Sequence, residues 1–435
     1  MPINRIKAAG AIVAVILLLA TGNVVGSETV SIDGRILTLR QCLDLGLRMN
    51  PASAISLQGL KAAQEKIEEG RGGYYPSFKL SSAYTYTTPQ ESMPQVAEDS
   101  YDTRLALRQT LFDAGATANL LKGLEHGVSV QEHEVSKTEL DIAYNIRLTF
   151  IDTLKKQALL EVEKMALAGR ERHLAQAQAL HQAGVSSRAD VIKSEVQLSN
   201  ARLNVVRAEN GVLSAKAALS AFMGVEVTVQ FALDGREVDS LPQAGLPEVR
   251  ELRAEAVDRR PELKGIQARL EAAAAAISQA ESGSYPQVSL DASYGWQENS
   301  FVPADKKWGV GVTVGIPIFE QLTTRAKVAQ AVAGRKGLKG AALQARQLVE
   351  LEVEQAWLGL KEAQERLPVS RKTLAQAEED LRVSEGRYKE GVGTILEVID
   401  AQTGLTSART NSVVAAYDIA NAQAKLDRAT GKGAR

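Results

Sequence analysis

Two halves of the chain resemble each other, and this duplication limits the fold more than any other feature of the sequence. The Gly-Val pair that begins at Gly184 recurs at Gly391, 207 positions later, and each copy leads to an acidic residue followed by Val-Ile. The Tyr-Pro pair at residues 75–76 recurs at residues 285–286, so few insertions separate the halves. Solenoid repeats have periods of only ~20–50 residues. The longer period predicts a duplicated structural half and therefore an internal two-fold repeat.

The composition excludes an electrostatic nucleic-acid binder and favours long helices. Among the 435 residues, 51 are basic and 52 acidic, so the net charge of −1 offers no attraction to a phosphate backbone. Aromatic residues make up only 5% of the chain, whereas small and helix-forming residues dominate long stretches. Such a composition is typical of extended helices that pack closely through small side chains.

Residues 1–27 have the pattern of a secretory signal peptide. Arg5 and Lys7 precede an apolar run over residues 8–20, and small residues follow at a suitable cleavage position. An uncleaved anchor helix is the alternative, but the run is shorter than the ~20 residues that a membrane span needs. The lone cysteine, Cys42, excludes an internal disulfide in the exported chain.

Four segments alternate apolar residues with small or polar ones, as amphipathic β-strands do. They cover residues 77–87, 101–112, 287–297 and 307–318. Each has ~10 residues, the length of a tilted strand that crosses a bilayer, and aromatic residues lie near strand ends, where interfacial girdles form. An amphipathic hairpin on a soluble core is the alternative. Two equivalent hairpins in an exported chain favour a membrane β-barrel, with Val310, Val312 and Val314 facing lipid.

Four strands are too few to close a barrel in a membrane. An open sheet edge in lipid leaves unpaired backbone groups that cost several kcal/mol each, and known membrane barrels have at least ~8 strands. The chain is therefore expected to assemble with copies of itself. Three copies would contribute twelve strands to one barrel.

Beyond each strand pair the chain predicts a very long helix. The patterns extend over residues 114–181 and 321–389, and at about 1.5 Å per residue each helix would be a rod of ~100 Å. Pro368 predicts a break or kink in the second rod. Each rod turns at a Gly-Val pair and returns over residues 187–223 or 394–430.

The returning helices carry apolar residues and alanines at heptad spacing. One set comprises Val191, Ser194, Leu198, Ala201, Val205, Ala208, Val212, Ala215 and Leu219. The other comprises Val398, Ala401, Leu405, Ala408, Ser412, Ala415, Ile419, Ala422 and Leu426. This period predicts left-handed supercoiling with close approach at the alanines. The predicted fold class is therefore mainly α, a long antiparallel coiled-coil helical barrel continuous with a membrane β-barrel; a simple antiparallel helical hairpin is the alternative.

The predicted domain boundaries follow from the duplication. They are residues 1–27 for the signal peptide, 28–224 for the first repeat with its tip at 183–187, 225–248 for a linker, and 249–435 for the second repeat with its tip at 390–394. A capping-box spacing at Thr38 starts a helical pattern that continues to about Glu69. Residues 28–37 and 225–229 contain short strand-like stretches.

The two Gly-Val turns and the two Tyr-Pro strand entries resemble those of the TolC-type outer-membrane efflux proteins. The most specific stretch is residues 387–400, around the second turn, and the resemblance covers essentially the whole mature chain. It implies a trimeric channel-tunnel in the outer membrane that extends into the periplasm. It further implies that cargo comes from an inner-membrane pump through a periplasmic adaptor protein, without a cofactor.

The turns at the two tips resemble the family's adaptor-docking turns. The residues concerned are Gly184, Val185, Ser186, Gly391, Val392, Gly393 and Thr394. A structural interpretation competes with docking, because a helix C-terminus favours glycine in the left-handed conformation. The exposed valine expected at each tip is not required for that purpose.

Four residues match the family's periplasmic gate by resemblance, namely Asp190, Tyr388, Glu397 and Asp400. Glu397 and Asp400 are three residues apart and share one helix face. Three copies would place six carboxylates around the narrow end of a tube and attract cations. Aspartate is common where this chain has Glu397, which is a departure from the family. Helix capping is the alternative for Asp190 and Glu397, because each lies three residues after a serine or threonine.

The sequence contains no enzymatic motif, so we expect neither catalysis nor a metal or organic cofactor. His126, His133, His173 and His181 lie in helical, charged surroundings without metal-ligand spacing, which favours solvated helix faces.

Two further functions remain open on the sequence. The same duct could serve as the exit of a type I protein secretion system, because barrel and rods do not distinguish cargoes. A periplasmic coiled-coil scaffold without a pore is the alternative of a different class.

Overall fold

The computed structural model describes residues 33–87, 99–236, 245–298 and 305–433, and it is mostly helical with a few strands. The segment predicted to be a signal peptide lies outside these residues. We number the helices α1 (Leu39–Met49), α2 (Pro51–Arg71), α3 (Ala116–Gln182), α4 (Arg188–Met223), α5 (Val249–Arg259), α6 (Pro261–Ser282), α7 (Gln321–Lys389) and α8 (Ile395–Ala429). The strands are β1 (Ile36–Leu37), β2 (Ser77–Tyr86), β3 (Asp99–Phe112), β4 (Ala232–Leu233), β5 (Gln287–Glu298) and β6 (Lys307–Gly315).

The first predicted helix is interrupted near its start. A capping box at Thr38 begins α1, as the spacing predicts, but α1 ends at Met49 and α2 begins at Pro51. Proline disfavours the helical region for the residue before it, for steric reasons. Accordingly, Asn50 has extended φ and ψ angles of −66° and 126°. The same break separates α5 from α6 at Pro261. Each half therefore begins with two helices where the sequence pattern predicted one.

The two longest helices are continuous rods. Helix α3 has 67 residues and α7 has 69, so each is ~100 Å long. Pro368 predicted a break or a kink, and the break is absent, because α7 runs through this position from Gln321 to Lys389. The kink stays a prediction. Helix α3 packs along α4 and α7 packs along α8, which makes two long antiparallel hairpins. None of the helices in the described ranges combines the length and the hydropathy that a membrane crossing requires.

The heptad positions of the returning helices lie on buried seams. None of the nine positions in α4 or the nine in α8 is exposed, and Leu219, Val398 and Ala415 are almost fully buried. The alternation of alanine with larger residues lets the paired helices approach closely. The predicted period therefore identifies the side of each returning helix that packs against its neighbours.

The four long strands form one antiparallel sheet in the order β2, β3, β5, β6. Strands β2 and β3 pair from Ser77 opposite Arg108 to Tyr86 opposite Asp99. Strands β3 and β5 join the two hairpins, and their register shifts near Phe112. Since residues directly opposite each other point to the same side, the register assigns every side chain to one of two faces.

The apolar face of this sheet is open in the single chain. Val310, Val312 and Val314 are 66%, 62% and 58% exposed, and Trp308 and Leu80 on the same face are also exposed. A soluble amphipathic hairpin would bury such a face on its own core. The chain does not do so in the part that the structure describes.

Near the middle of the rods, a core forms where the first helices pack against them. Cys42 and Phe150 are fully buried there with Leu219 and Met223. Beside this core, β1 and β4 form a short parallel pair. The strand-like stretch at residues 225–229 is not a strand, because it turns directly after the left-handed Gly224 that ends α4, and pairing begins only at Ala232.

A buried arginine at the start of α6 connects this helix to the middle of α7 and the end of α8. Arg260 is 3% exposed, and its guanidinium lies 3.0 Å from a carboxylate oxygen of Glu262 and 2.9 Å from one of Glu352. It also donates a 3.0 Å hydrogen bond to the carbonyl oxygen of Arg428. A buried charge of this kind is costly unless it is paired. The three partners lie in three different helices, α6, α7 and α8.

We predict that Arg260→Ala lowers the free energy of unfolding by ~3 kcal/mol, because two carboxylates and a carbonyl lose their buried partner. Urea denaturation of the detergent-solubilised protein, followed by circular dichroism, measures the change. Arg259→Ala is the matched control, since Arg259 is about half exposed and pairs with Glu255 one turn away; its loss should cost below ~0.5 kcal/mol. Equal shifts in the two variants would contradict the role assigned to Arg260.

Candidate functional site

The two helical hairpins turn in the same way at their tips. Helix α3 ends at Gln182, Gly184 just beyond it has a φ of +73°, and the Val185 amide donates to the Leu180 carbonyl at 2.9 Å. In the second tip, Gly391 also has a φ of +73°, and the Val392 amide donates to the Arg387 carbonyl at 3.0 Å. Each glycine amide also donates to the carbonyl three residues before it, His181 or Tyr388. Together the two bonds define the Schellman motif. The glycines are therefore explained by the helix ends.

Each returning helix begins with a capping box that uses a predicted gate residue. The Asp190 amide donates to Ser187 Oγ at 3.3 Å, and the Ser187 amide donates to Asp190 Oδ2 at 3.2 Å. Thr394 and Glu397 make the equivalent pair at 3.3 and 3.4 Å. Glu397 also lies 3.3 Å from Arg387 Nε. The capping alternative thus accounts for the local position of both carboxylates.

The valines at the tips have no such local explanation. Val185 is 66% exposed and Val392 is 69% exposed, although both are apolar and lie at the ends of long polar rods. In a Schellman motif the residue after the glycine often contacts the last turn of the helix, and here each valine side chain remains open to solvent. The two tips therefore present matching apolar points next to an exposed Thr394 and a half-buried Gly393.

Tyr388 is buried beneath the second tip. Its ring is 7% exposed and packs with Ile395, Val398 and Ile399 at the start of α8. Burial raises the pKa of its hydroxyl above the ordinary 10.0, and the nearby negative charge of Asp190 acts in the same direction. The hydroxyl is buried without a well-aligned hydrogen bond among the described residues. The fold thus brings Tyr388 close to Asp190, as the gate hypothesis requires.

A buried polar contact connects the two hairpins about two turns into α8 and about three turns before the end of α3. Arg170 of α3 is 8% exposed; it donates to Gln402 Oε1, and its second nitrogen lies 3.1 Å from Thr403 Oγ1, both on α8. While the hairpins are packed together, the buried guanidinium depends on these partners, because a buried charge without them is costly. No sequence pattern predicted this contact, because Gln402 and Thr403 lie 232 and 233 positions after Arg170 and belong to no motif with it.

His173 belongs to the same buried region, and its position corrects the expectation of a solvated helix face. The side chain is 5% exposed, with its ring centre 5.7 Å from that of Tyr388. Burial lowers the pKa of this imidazole below the ordinary 6.5, and the positive charge of Arg170 lowers it further. Within the described ranges, no group of histidine, cysteine or carboxylate side chains is arranged to hold a metal ion.

Asp400 differs from the other predicted gate residues. It lies on an exposed part of α8, one turn after Glu397, and no ion pair restrains its side chain in the described part of the chain. The structure therefore brings Asp190 and Tyr388 together, couples Glu397 to the tip, and leaves Asp400 open. The open carboxylate is the one without a structural explanation.

The sequence comparisons identify one family over most of the chain. The family model described as outer membrane efflux protein matches residues 47–225 and 252–432. Protein CyaE of Bordetella pertussis is 27% identical, over 91% of this chain and 84% of its own length. Outer membrane protein TolC of Escherichia coli is 24% identical, over 88% of this chain and 80% of its own length.

The fold also resembles solved outer-membrane channels. The structure of CusC, described as forming a transmembrane channel, superposes with a TM-score of 0.79 over 96% of both chains. The identity is only 18%, so this likeness concerns the fold alone.

We predict that acid loosens the tips through His173. Because its pKa is lowered in the folded protein, the unfolded chain binds more protons as the pH falls below about 6.5, and stability decreases with falling pH. Hydrogen exchange measures this effect in residues 170–182 and 388–402. In wild type, protection of these residues should fall between pH 8 and pH 5.5. In His173→Gln, the fall should be smaller, because the group that takes up the proton is absent. His126→Gln, which removes a half-exposed histidine elsewhere on α3, should show the same fall as wild type. The same pH response in all three proteins would refute the assignment.

Proposed function

The chain belongs to the outer membrane efflux protein family, as its sequence predicted, and we propose that it forms a trimeric duct from the periplasm to the outside of the cell. Membership makes it a transport protein of the outer membrane rather than an enzyme. In the proposed duct, an inner-membrane pump and a periplasmic adaptor protein deliver the cargo. The single observation that carries the proposal is the sheet whose apolar face and two edges are left open.

The open edges support assembly from three chains. Within the described residues, β2 and β6 each pair on one side only. An edge in lipid leaves backbone groups without partners, at several kcal/mol each. Pairing β6 of one chain with β2 of the next removes every edge, and three chains give a closed barrel of twelve strands with the apolar face toward lipid.

The rods support a tunnel that prolongs this barrel. Helices α3 and α7 follow directly after β3 and β6, so each strand pair leads into a rod of ~100 Å. Both halves have the same order of two short helices, two strands and a long hairpin. This order supports the proposed two-fold repeat, in which three chains supply six equivalent hairpins to one wall.

The tips support contact with an adaptor protein. Gly184, Gly391 and Gly393 shape the turns, and an adaptor would meet the exposed Val185 and Val392 first. The hydroxyls of Ser186 and Thr394 lie beside them. The exposure of the two valines and membership of the family support docking at these turns.

A gate at the same end would combine a mobile contact with a ring of charge. We assign the contact to Tyr388 and Asp190, which the fold brings together, and the charge to Asp400, whose carboxylate is open. Glu397 contributes charge less directly, because it caps α8 and pairs with Arg387. Three copies of Asp400 around a narrow opening would attract cations.

We predict that Val312→Arg reduces the yield of trimers, because an arginine on the lipid face near the bilayer midplane costs ~2–4 kcal/mol. Heat-resistant trimers in the outer-membrane fraction measure assembly by gel electrophoresis. Gly311→Arg is the control, since position 311 belongs to the polar face and has open space beside it. Wild-type yield of the Val312 variant would refute the lipid-facing assignment.

We predict that Tyr388→Ala combined with Asp400→Ala raises the single-channel conductance in planar bilayers, because it removes a packing contact and a carboxylate from the narrow end. Asp258→Ala on α5, away from the tips, provides a control with unchanged conductance. Unchanged conductance of the double variant would remove both residues from the gate. Wild-type protein that forms no channel and remains monomeric in the periplasm would favour the scaffold instead.

A further inference from the structure

The polar face of the sheet carries more cations than carboxylates. In the register of the strands, this face includes Lys79, Arg104, Arg108 and Lys307, against Asp102 and Asp291. The face therefore has a net charge of +2 per chain from these six residues. This excess contrasts with the whole chain, whose net charge is −1.

One of these cations is neutralised by a neighbour. Arg108 Nε lies 2.7 Å from Asp291 Oδ1, directly across the β3–β5 pair. Asp291 also accepts hydrogen bonds from Ser289 at 2.9 Å and Thr313 at 3.1 Å. This cluster is satisfied internally, so it stiffens the sheet and leaves little charge for a ligand.

The other three cations have no such partner. In the part of the chain that the structure describes, the side chains of Lys79, Arg104 and Lys307 make no ion pair, and all three are exposed. Arg104 of β3 and Lys307 of β6 are both opposite Gly295 of β5, so the two cations flank the same glycine. Lys79 is opposite Ala106, the next residue of β3 on the same face as Arg104. We call Lys79, Arg104 and Lys307 the cationic band.

The surroundings of the cationic band suit a solute rather than a structural partner. The same face forms a concavity of about 730 Å³, lined by Lys79, Arg104, the paired Arg108 and Asp291, and small residues such as Ala106, Gly309 and Gly311. Lys307 lies on the same face but is not one of the lining residues. Because the residues opposite the cations are glycine, alanine and serine, no side chain covers the charges. In the register, Asp102 is the acid nearest to Arg104, one step further along β3 on the same face.

We propose that the cationic band binds multivalent anions inside the barrel, so that anionic solutes concentrate at this end of the duct. This inference rests on the proposed function, because the polar face becomes a pore wall only when the barrel closes. Three chains would then place nine uncompensated cations around the lumen at similar height. Rings of basic side chains select anions in pores in this way, and the acidic tips lie at the other end of the tunnel.

Block of single-channel current by tripolyphosphate, added on the barrel side in planar bilayers at about 0.1 M salt, tests the proposal, because charges are felt over ~10 Å there. Wild type should be blocked by tripolyphosphate at far lower concentration than by sulfate, which carries fewer negative charges. The triple variant Lys79→Gln, Arg104→Gln, Lys307→Gln should raise the half-blocking tripolyphosphate concentration about tenfold or more, since several like charges act together. Asp102→Asn, the matched loss of a carboxylate from the same face, should lower it.

The outcomes separate this proposal from the one it rests on. Wild-type protein without channels would refute the duct itself. Channels that tripolyphosphate does not block, or whose tripolyphosphate block is unchanged in the triple variant, would refute the cationic band while leaving the duct intact. Should the triple variant fail to assemble, Arg104→Gln and Lys307→Gln are measured singly, and each should weaken the block.

Discussion

An open sheet with an apolar outer face cannot be stable in lipid as a single chain, and the rest of the architecture depends on this constraint. Strands β2 and β6 present unpaired backbone groups, and the valines of β6 have no cover from the described parts of the chain. Water can satisfy such groups at low cost, whereas hydrocarbon cannot. In the proposed duct, neighbouring chains pair with these edges, and the long helices that follow the strands take the symmetry of that assembly.

The tips combine structural and functional demands on the same residues. Asp190 and Glu397 close capping boxes, and Gly184 and Gly391 end helices, so each has a structural reason to be present. The valines and Asp400 lack such a reason. In the proposed duct this division is useful, because well-capped helix ends hold the exposed residues in fixed positions while the weaker contacts between hairpins are free to change.

Buried contacts hold the two hairpins of one chain together near the tips, and in the proposed duct they would keep the gate closed. Arg170 reaches from α3 to α8, and His173 packs against Tyr388 of α7. All these groups are polar and buried, so they hold the hairpins together only while each keeps its partner. A polar lock of this kind separates more readily than an apolar core, since water can replace the lost partners once the site opens.

Sequence periodicity predicted the elements well where one physical rule acts alone. Alternation identified the strands to within a few residues, and α7 begins and ends at the predicted Gln321 and Lys389. The pattern failed where rules compete. It missed the breaks at Pro51 and Pro261, because the apolar spacing continues across them. At Pro368, where it predicted a break or a kink, the helix does not break.

The amino-acid sequence by itself determined the duplication, the two-faced strands, the heptad seams and the turns, since each depends on residues close together along the chain. Only the tertiary structure decided that Arg170 meets Gln402, that His173 is buried, and that three cations share one face of a sheet built from both halves. These contacts join residues that are distant along the chain. Their energies arise from burial and charge proximity, which no local pattern encodes.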